Sequence, residues 1–191
     1  RLHVIIRPRG GDSLYSPLEL ERMAADIDIA RELGADGVVF GCLRPDGSLD
    51  TEANAMLMEH AKGLSVTFHR AFDRCADPRK ALEELIAQGF DRILTSGQQP
   101  TALEGTPLLK ELHEQANGRI ILLAGCGVNE QNIATIAQAT AIHEFHFSAR
   151  TAVKSKMMFS NPDVYMGAKD ADEDKPNITS AERVAHTIAQ L

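Results

Sequence analysis

About six times along this chain, a short apolar run ends in polar residues or glycine and gives way to a stretch carrying helix-start signals. That alternation constrains the fold most. Strands separated by helices run parallel, because parallel neighbours need a long crossover and a helix supplies it. The apolar runs are residues 2–6, 37–41, 64–69, 91–95, 119–124 and 143–148, at spacings of roughly 23 to 30 residues. Between them, Ser16, Pro17 and Glu19 supply an N-cap, a proline at the first helical position and a glutamate at the third. Asp50, the pair Asp77 and Pro78, the pair Thr106 and Pro107, and Asn129 open the later helices, while Gly34 and Gly89 close two of them. After Arg150 the pattern stops. Residues 151–177 read as a long loop holding Met157, Met158, Phe159, Met166 and an acidic run at 170–174, before a capping box from Thr179 to Glu182 starts a last helix.

The expected class is α/β in one domain spanning residues 1–191. An open doubly wound sheet and a TIM-type (β/α) barrel both fit the alternation. Polar residues at every strand end favour the barrel, whose sites gather at that face. About six of the eight βα units are present, and a barrel typically needs about 250 residues, so two units are expected to precede Arg1. Without them the outer strands present unpaired edges, and self-association into a homo-oligomer is expected.

Composition narrows the partners. A hydrophobic content of 43% supports an ordinary core, and the formal charge of −7 disfavours nucleic acid while leaving a small anionic ligand open. No run of about 18 apolar residues predicts a membrane helix. Cys42, Cys75 and Cys126 are odd in number and far apart, which suits a reducing compartment, so a cytoplasmic location is expected.

The richest strand end is His69, Arg70 and Asp73, which combines an imidazole that titrates near neutrality with a guanidinium able to clamp an anion. As a catalytic set they would serve acid/base chemistry; as a structural set, Arg70 and Asp73 anchor the loop to the next helix. Arg7, Arg9 and Asp12 follow the first strand, and Arg7 is expected to meet Glu144, an acid outside this chain or an anionic ligand. Ser96 ends the fourth strand. Gly125, Gly127 and Ser148 follow the last two strands, where barrels often hold phosphate on backbone N–H groups; plain turn chemistry is the alternative.

The segments 6–12, 67–73, 94–97, 124–128 and 146–149 closely resemble the CutC family, the copper homeostasis proteins. The resemblance runs in order through the whole chain, and implies a cytoplasmic TIM-type barrel linked to copper. It also implies that the absent part carries the family's first two strands with their cysteine motifs. Copper(I) prefers thiolate, thioether and imidazole. By resemblance, Cys42, Cys126 and His146 are therefore the metal candidates, with Cys75 ranking beside the cysteines. Loop methionines more often fill gaps. The competing class is an enzyme acting on a small anionic or phosphorylated substrate at the strand-end face, with His69 as acid/base.

Overall fold

The computed structural model describes residues 1–161, 163–164 and 174–191. Six strands form one parallel sheet in chain order: β1 (His3–Ile5), β2 (Gly37–Phe40), β3 (Ser65–Phe68), β4 (Arg92–Thr95), β5 (Ile121–Gly125) and β6 (Glu144–His146). Sequential order with parallel neighbours is the order of a barrel wall, and the sheet is a curled half-barrel. The register couples Ile5 to Val39, Val39 to Thr67 and Phe40 to Phe68.

The crossovers are α1 (Pro17–Glu32), α2 (Thr51–His60), α3 (Pro78–Gln88), α4 (Thr106–Ala116) and α5 (Ile133–Thr140), with α6 (Ala181–Ile188) at the end. Local chemistry sets their starts. Ser16 and Glu19 close the expected capping box, and the Asp77 carboxylate accepts from the Arg79 and Lys80 N–H groups. Gly89, in the left-handed region, ends α3.

The core lies between sheet and helices. Val38, Phe40, Val66, Phe68 and Ile93 are buried there, and Phe90 meets the rings of Phe40 and Phe68 edge-on at 5.4 and 5.5 Å. The opposite, inward face of the sheet carries Ile5, Val39, Thr67, Leu94 and Leu123, by strand alternation. Ile5 is 63% exposed, so this face is open at the β1 edge.

Four local expectations need correction. Thr106 does not cap α4: Gly105 occupies the cap, and the Thr106 hydroxyl turns back to the Leu103 carbonyl. A Cβ on Gly105 would lie 1.8 Å from the Ser96 carbonyl oxygen, so only glycine lets the two loops pack this closely. Asn129 does not cap α5, which begins at Ile133, because its side chain closes a turn onto the Gln131 N–H. The last cap is Ser180 rather than Thr179. Finally, 151–177 is not wholly loop. β7 (Arg150–Ala152) pairs antiparallel with β8 (Asn177–Thr179), a long-range pairing between segments too short to show a period. Met166 and positions 170–173 of the acidic run lie outside the described residues.

Candidate functional site at the strand-end face

The C-terminal ends of β1 to β4 bring the sequence candidates together. Past β3 the chain turns into a 3-10 helix, Arg70–Arg74, capped by His69. This turn swings Asp73 beneath the end of β4. Its carboxylate, 6% exposed, accepts from the Thr95 hydroxyl at 2.6 Å, the Ser96 N–H at 3.0 Å, the Gln98 N–H at 3.1 Å and Arg70 Nε at 2.7 Å. Arg70 Nη2 also donates to Ser96 Oγ at 2.9 Å. Asp73 is thus an anchor locking the β3 and β4 loops together, one of the two roles the sequence left open.

His69, the residue after β3, is 5% exposed, and its ring meets that of Phe68 edge-on at 6.0 Å. Its Nδ1 accepts the Ala71 N–H at 3.2 Å, so the ring proton sits on Nε2. That Nε2 is buried without a hydrogen-bond partner. Burial lowers the imidazole from 6.5 to about 4, with the Arg7 charge pushing the same way against a favourable backbone bond. At neutral pH His69 is therefore an uncharged donor rather than a base or cation.

Arg7 reaches this site from the neighbouring strand. Ladder bonds from the Ile6 N–H to Val39 O and from the His69 N–H to Phe40 O extend the register past the strands. Arg7, Gly41 and His69 consequently stand in one row across the mouth. The middle member has to be small: a Cβ on Gly41 would lie 2.9 Å from the Phe68 ring and 3.0 Å from His69 Nδ1. Arg7 Nη2 donates to the Gly11 carbonyl at 2.7 Å, and its guanidinium makes no ion pair among the described residues. The expected pairing of Arg7 with Glu144 does not form. Glu144 starts β6 and binds Arg92, which starts β4, in a bidentate pair at 2.7 and 3.2 Å. That pair is at the opposite end of the parallel strands from Arg7.

Arg9 and Asp12 serve the loop itself. Arg9 meets Asp12 at 2.9 Å and Glu19 at 2.6 Å, donates to the Leu14 carbonyl, and lies 5.4 Å over the Tyr15 ring. Tyr15 was missed in the sequence reading. It precedes the Ser16 cap, a position where an apolar residue commonly packs back on its helix, and that was the available signal. Its hydroxyl is the second buried atom here without a partner. Burial above all raises its pKa and Cys42 adds to the rise, while the Ser13 and Arg7 side chains, near enough to the hydroxyl to interact with it though outside ordinary hydrogen-bond geometry, oppose it.

The remaining candidates are scattered. The loop of Gly125, Cys126 and Gly127 follows β5, but Asn129 and Asn132 donate to the Gly127 carbonyl at 3.0 and 2.8 Å. The loop is tied down through its acceptor, and α5 starts too late to lend it a helix N-terminus. Ser148 is exposed after β6, and His146 is the exposed end of β6. Gln98, Cys126 and Ala149 all adopt positive φ in the loops after β4, β5 and β6. Asn117 and Ala141 do so as well, at the C-caps of α4 and α5 before the next strands begin, so positive φ is not confined to the strand-end face.

The thiols do not fit a copper(I) ligand set. Cys42 follows β2 and Cys126 follows β5, with β3 and β4 between them. Burial, with help from Asp50, pushes the Cys42 thiol up to about 12, and burial with Asp73 and Asp77 does the same to Cys75. Cys126 Sγ donates to the Pro100 carbonyl at 3.1 Å. Among the described residues no three His, Cys, Asp or Glu side chains gather as a metal site.

Comparison with known proteins places this geometry in a family. The CutC family profile matches residues 1–151. A CutC family protein from Bacteroides thetaiotaomicron is 62% identical over 192 aligned residues, covering 100% of this chain and 77% of its own. One from Porphyromonas gingivalis is 51% identical, covering 98% of this chain and 76% of its own. A solved CutC structure from Streptococcus agalactiae, provisionally described as a copper homeostasis protein, superposes with a TM-score of 0.73 at 40% identity, covering 75% of this chain and 70% of that one. A protein described as an aldolase has a TM-score of 0.57 at 19% identity over 75% of this chain and 66% of that one, a likeness of fold alone. By sequence and by its TIM-barrel-like sheet, the chain belongs to the CutC family.

Proposed function

We propose that this protein acts in copper homeostasis in the cytoplasm, and that its molecular task is to bind a small anionic molecule at the strand-end face of the barrel. Family membership and the description of the Streptococcus agalactiae relative support the first part. One observation carries the second: the buried, proton-bearing Nε2 of His69 lacks a partner in the row that holds the Arg7 guanidinium. A buried donor left unpaired costs about 1–3 kcal/mol, and an anion seated on Arg7 would supply the acceptor.

A thiolate copper carrier is the weaker version of the same role for these residues. Copper(I) would have to displace protons from two thiols held near 12 and draw together side chains that the sheet keeps apart. The test is a pair of titrations on the purified protein: inorganic phosphate and short carboxylates by calorimetry, and copper(I) by competition with a chromogenic chelator. Saturable anion binding lost in Arg7→Met and kept in a variant with all three cysteines changed to serine is the expected result. Tight copper(I) binding that disappears in the cysteine variant, with no anion binding, would overturn it.

A further inference from the structure

The two ends of the sheet carry complementary surfaces. At one end β1 pairs with β2, and among the described residues no strand lies on its other side. The ladder to β2 uses the Leu2 carbonyl and the Ile6 N–H, so by alternation the His3 and Ile5 backbone groups face the open edge. Between this edge and α1 runs a groove of about 360 Å³, lined by Leu2, Val4, Ile5, Ile29 and Leu33 with Asp26 on its wall. Leu2, Ile5, Ile29 and Leu33 are all exposed. Glu32, exposed beside Leu33, makes no ion pair among the described residues.

At the other end the chain leaves β6 as a two-stranded arm. The ladder of β7 and β8 continues past them, with the Val153 N–H donating to the Pro176 carbonyl at 3.0 Å and the Ser155 N–H to the Asp174 carbonyl at 2.8 Å. Ser160 Oγ donates to the Asp174 carboxylate at 2.7 Å. Thr151, Val153 and Ser155 are half-buried, whereas Lys154 and Lys156 are exposed and make no ion pair among the described residues. Beyond them Met158 is fully exposed, and Met157 and Phe159 are about three-quarters exposed. Three large apolar side chains in succession, left in water on a hydrogen-bonded ribbon, mark an interaction surface.

We propose that the arm tip, Met157 to Phe159, seats in the β1–α1 groove of a second copy of this chain, with Lys154 and Lys156 against Asp26 and Glu32. Charge chooses this occupant. The arm brings two unpaired cations beside its apolar tip, and the groove brings two acids beside its apolar lining; Arg22, 4.0 Å from Asp26, is 71% exposed and holds it loosely. Methionine and phenylalanine suit the centre of such a contact, since the thioether chains adapt to an irregular groove while charges stay at the rim. The free edge of β1 offers backbone partners to the extended arm. The arm does not fill its own groove: five strand spacings, about 24 Å along the sheet, part β1 from β6. The contact is therefore head-to-tail, and two copies close it by exchanging arms about a twofold axis.

The experiment is sedimentation velocity of the purified protein over a concentration series, with an arm variant (Met157→Ser, Met158→Ser and Phe159→Ser together) and a groove variant (Ile29→Glu with Leu33→Glu). The protein is expected to sediment at twice the 20.8 kDa of one chain, and each variant at that of one chain. All five positions are exposed, so circular dichroism and the urea midpoint should not change. Mixing the two variants should restore a dimer, because the intact arm of one meets the intact groove of the other. Lys154→Glu with Lys156→Glu should weaken the dimer about tenfold and remove its sensitivity to salt. A monomer at every concentration would overturn the proposal. So would a dimer that survives the arm variant, as direct pairing of two β1 edges would give, a dimer that survives the groove variant, or mixed variants that stay apart.

Discussion

Replacing Asp73 with alanine should remove more stability than any other single polar change on this face. The carboxylate is 6% exposed and gathers donors from three residues of the β4 loop as well as from Arg70. Ser96 and Thr95 are fully buried, so Asp73→Ala strands the Ser96 N–H and the Thr95 hydroxyl where water does not reach, at about 1–3 kcal/mol each. The Gln98 N–H is half-buried and recovers part of its bond from water. Arg70 is 42% exposed, so its ion pair adds little. The sum is a loss of about 3–5 kcal/mol, read as a lowered urea midpoint by circular dichroism with an unchanged slope. Asp12→Ala is the control: its carboxylate is 69% exposed, and a change within about 0.5 kcal/mol is expected. If Asp73→Ala lost less than about 1 kcal/mol, its donors would have other partners, and the anchor role would be refuted.

Acid stability follows from His69. Its folded value of about 4 lies below its ordinary 6.5, so the unfolded chain takes up this proton first as the pH falls. The stabilisation is complete above 6.5 and is lost progressively down to about 4, on the order of 3 kcal/mol in total. His69→Gln should flatten the dependence of the urea midpoint on pH across that window, and an unchanged slope would refute the burial argument. The thiols should separate by reactivity. Cys42 and Cys75, buried and held near 12, should resist an aromatic disulfide reagent at mildly alkaline pH, whereas the part-exposed Cys126 should react first. Peptide mass spectrometry reads the order, and early labelling of Cys42 would contradict it.

Much of the fold was legible because it is written in local chemistry. The apolar runs with capped stretches between them named the strands and helices, and the strand-to-helix order required a parallel sheet. Ser16 with Glu19, Asp77 and Gly89 acted as read, since a cap is a contact within one turn of chain. The misreadings have separate causes: Gly105 packs against Ser96 at the start of α4, Asn129 closes a turn onto Gln131, and Ser180 rather than its neighbour Thr179 accepts from the Arg183 N–H. The β7–β8 hairpin escaped because its partners lie far apart in sequence and are short.

The site divides along the same line. Sequence alone nominated Arg7, His69, Arg70, Asp73 and Ser96, since a polar residue ending an apolar strand must lie at one face of a parallel sheet. It could not rank them. Register decided that Arg7 and His69 share a row through Gly41, strand polarity decided that Glu144 belongs to Arg92, and the 3-10 turn filled the lone pairs of Asp73. Tyr15 acquired its place only when the loop folded back over β2. The physical reason is range. Turn, cap and period are set by neighbours a few residues away, whereas an unpaired donor exists only once distant segments have excluded water from it.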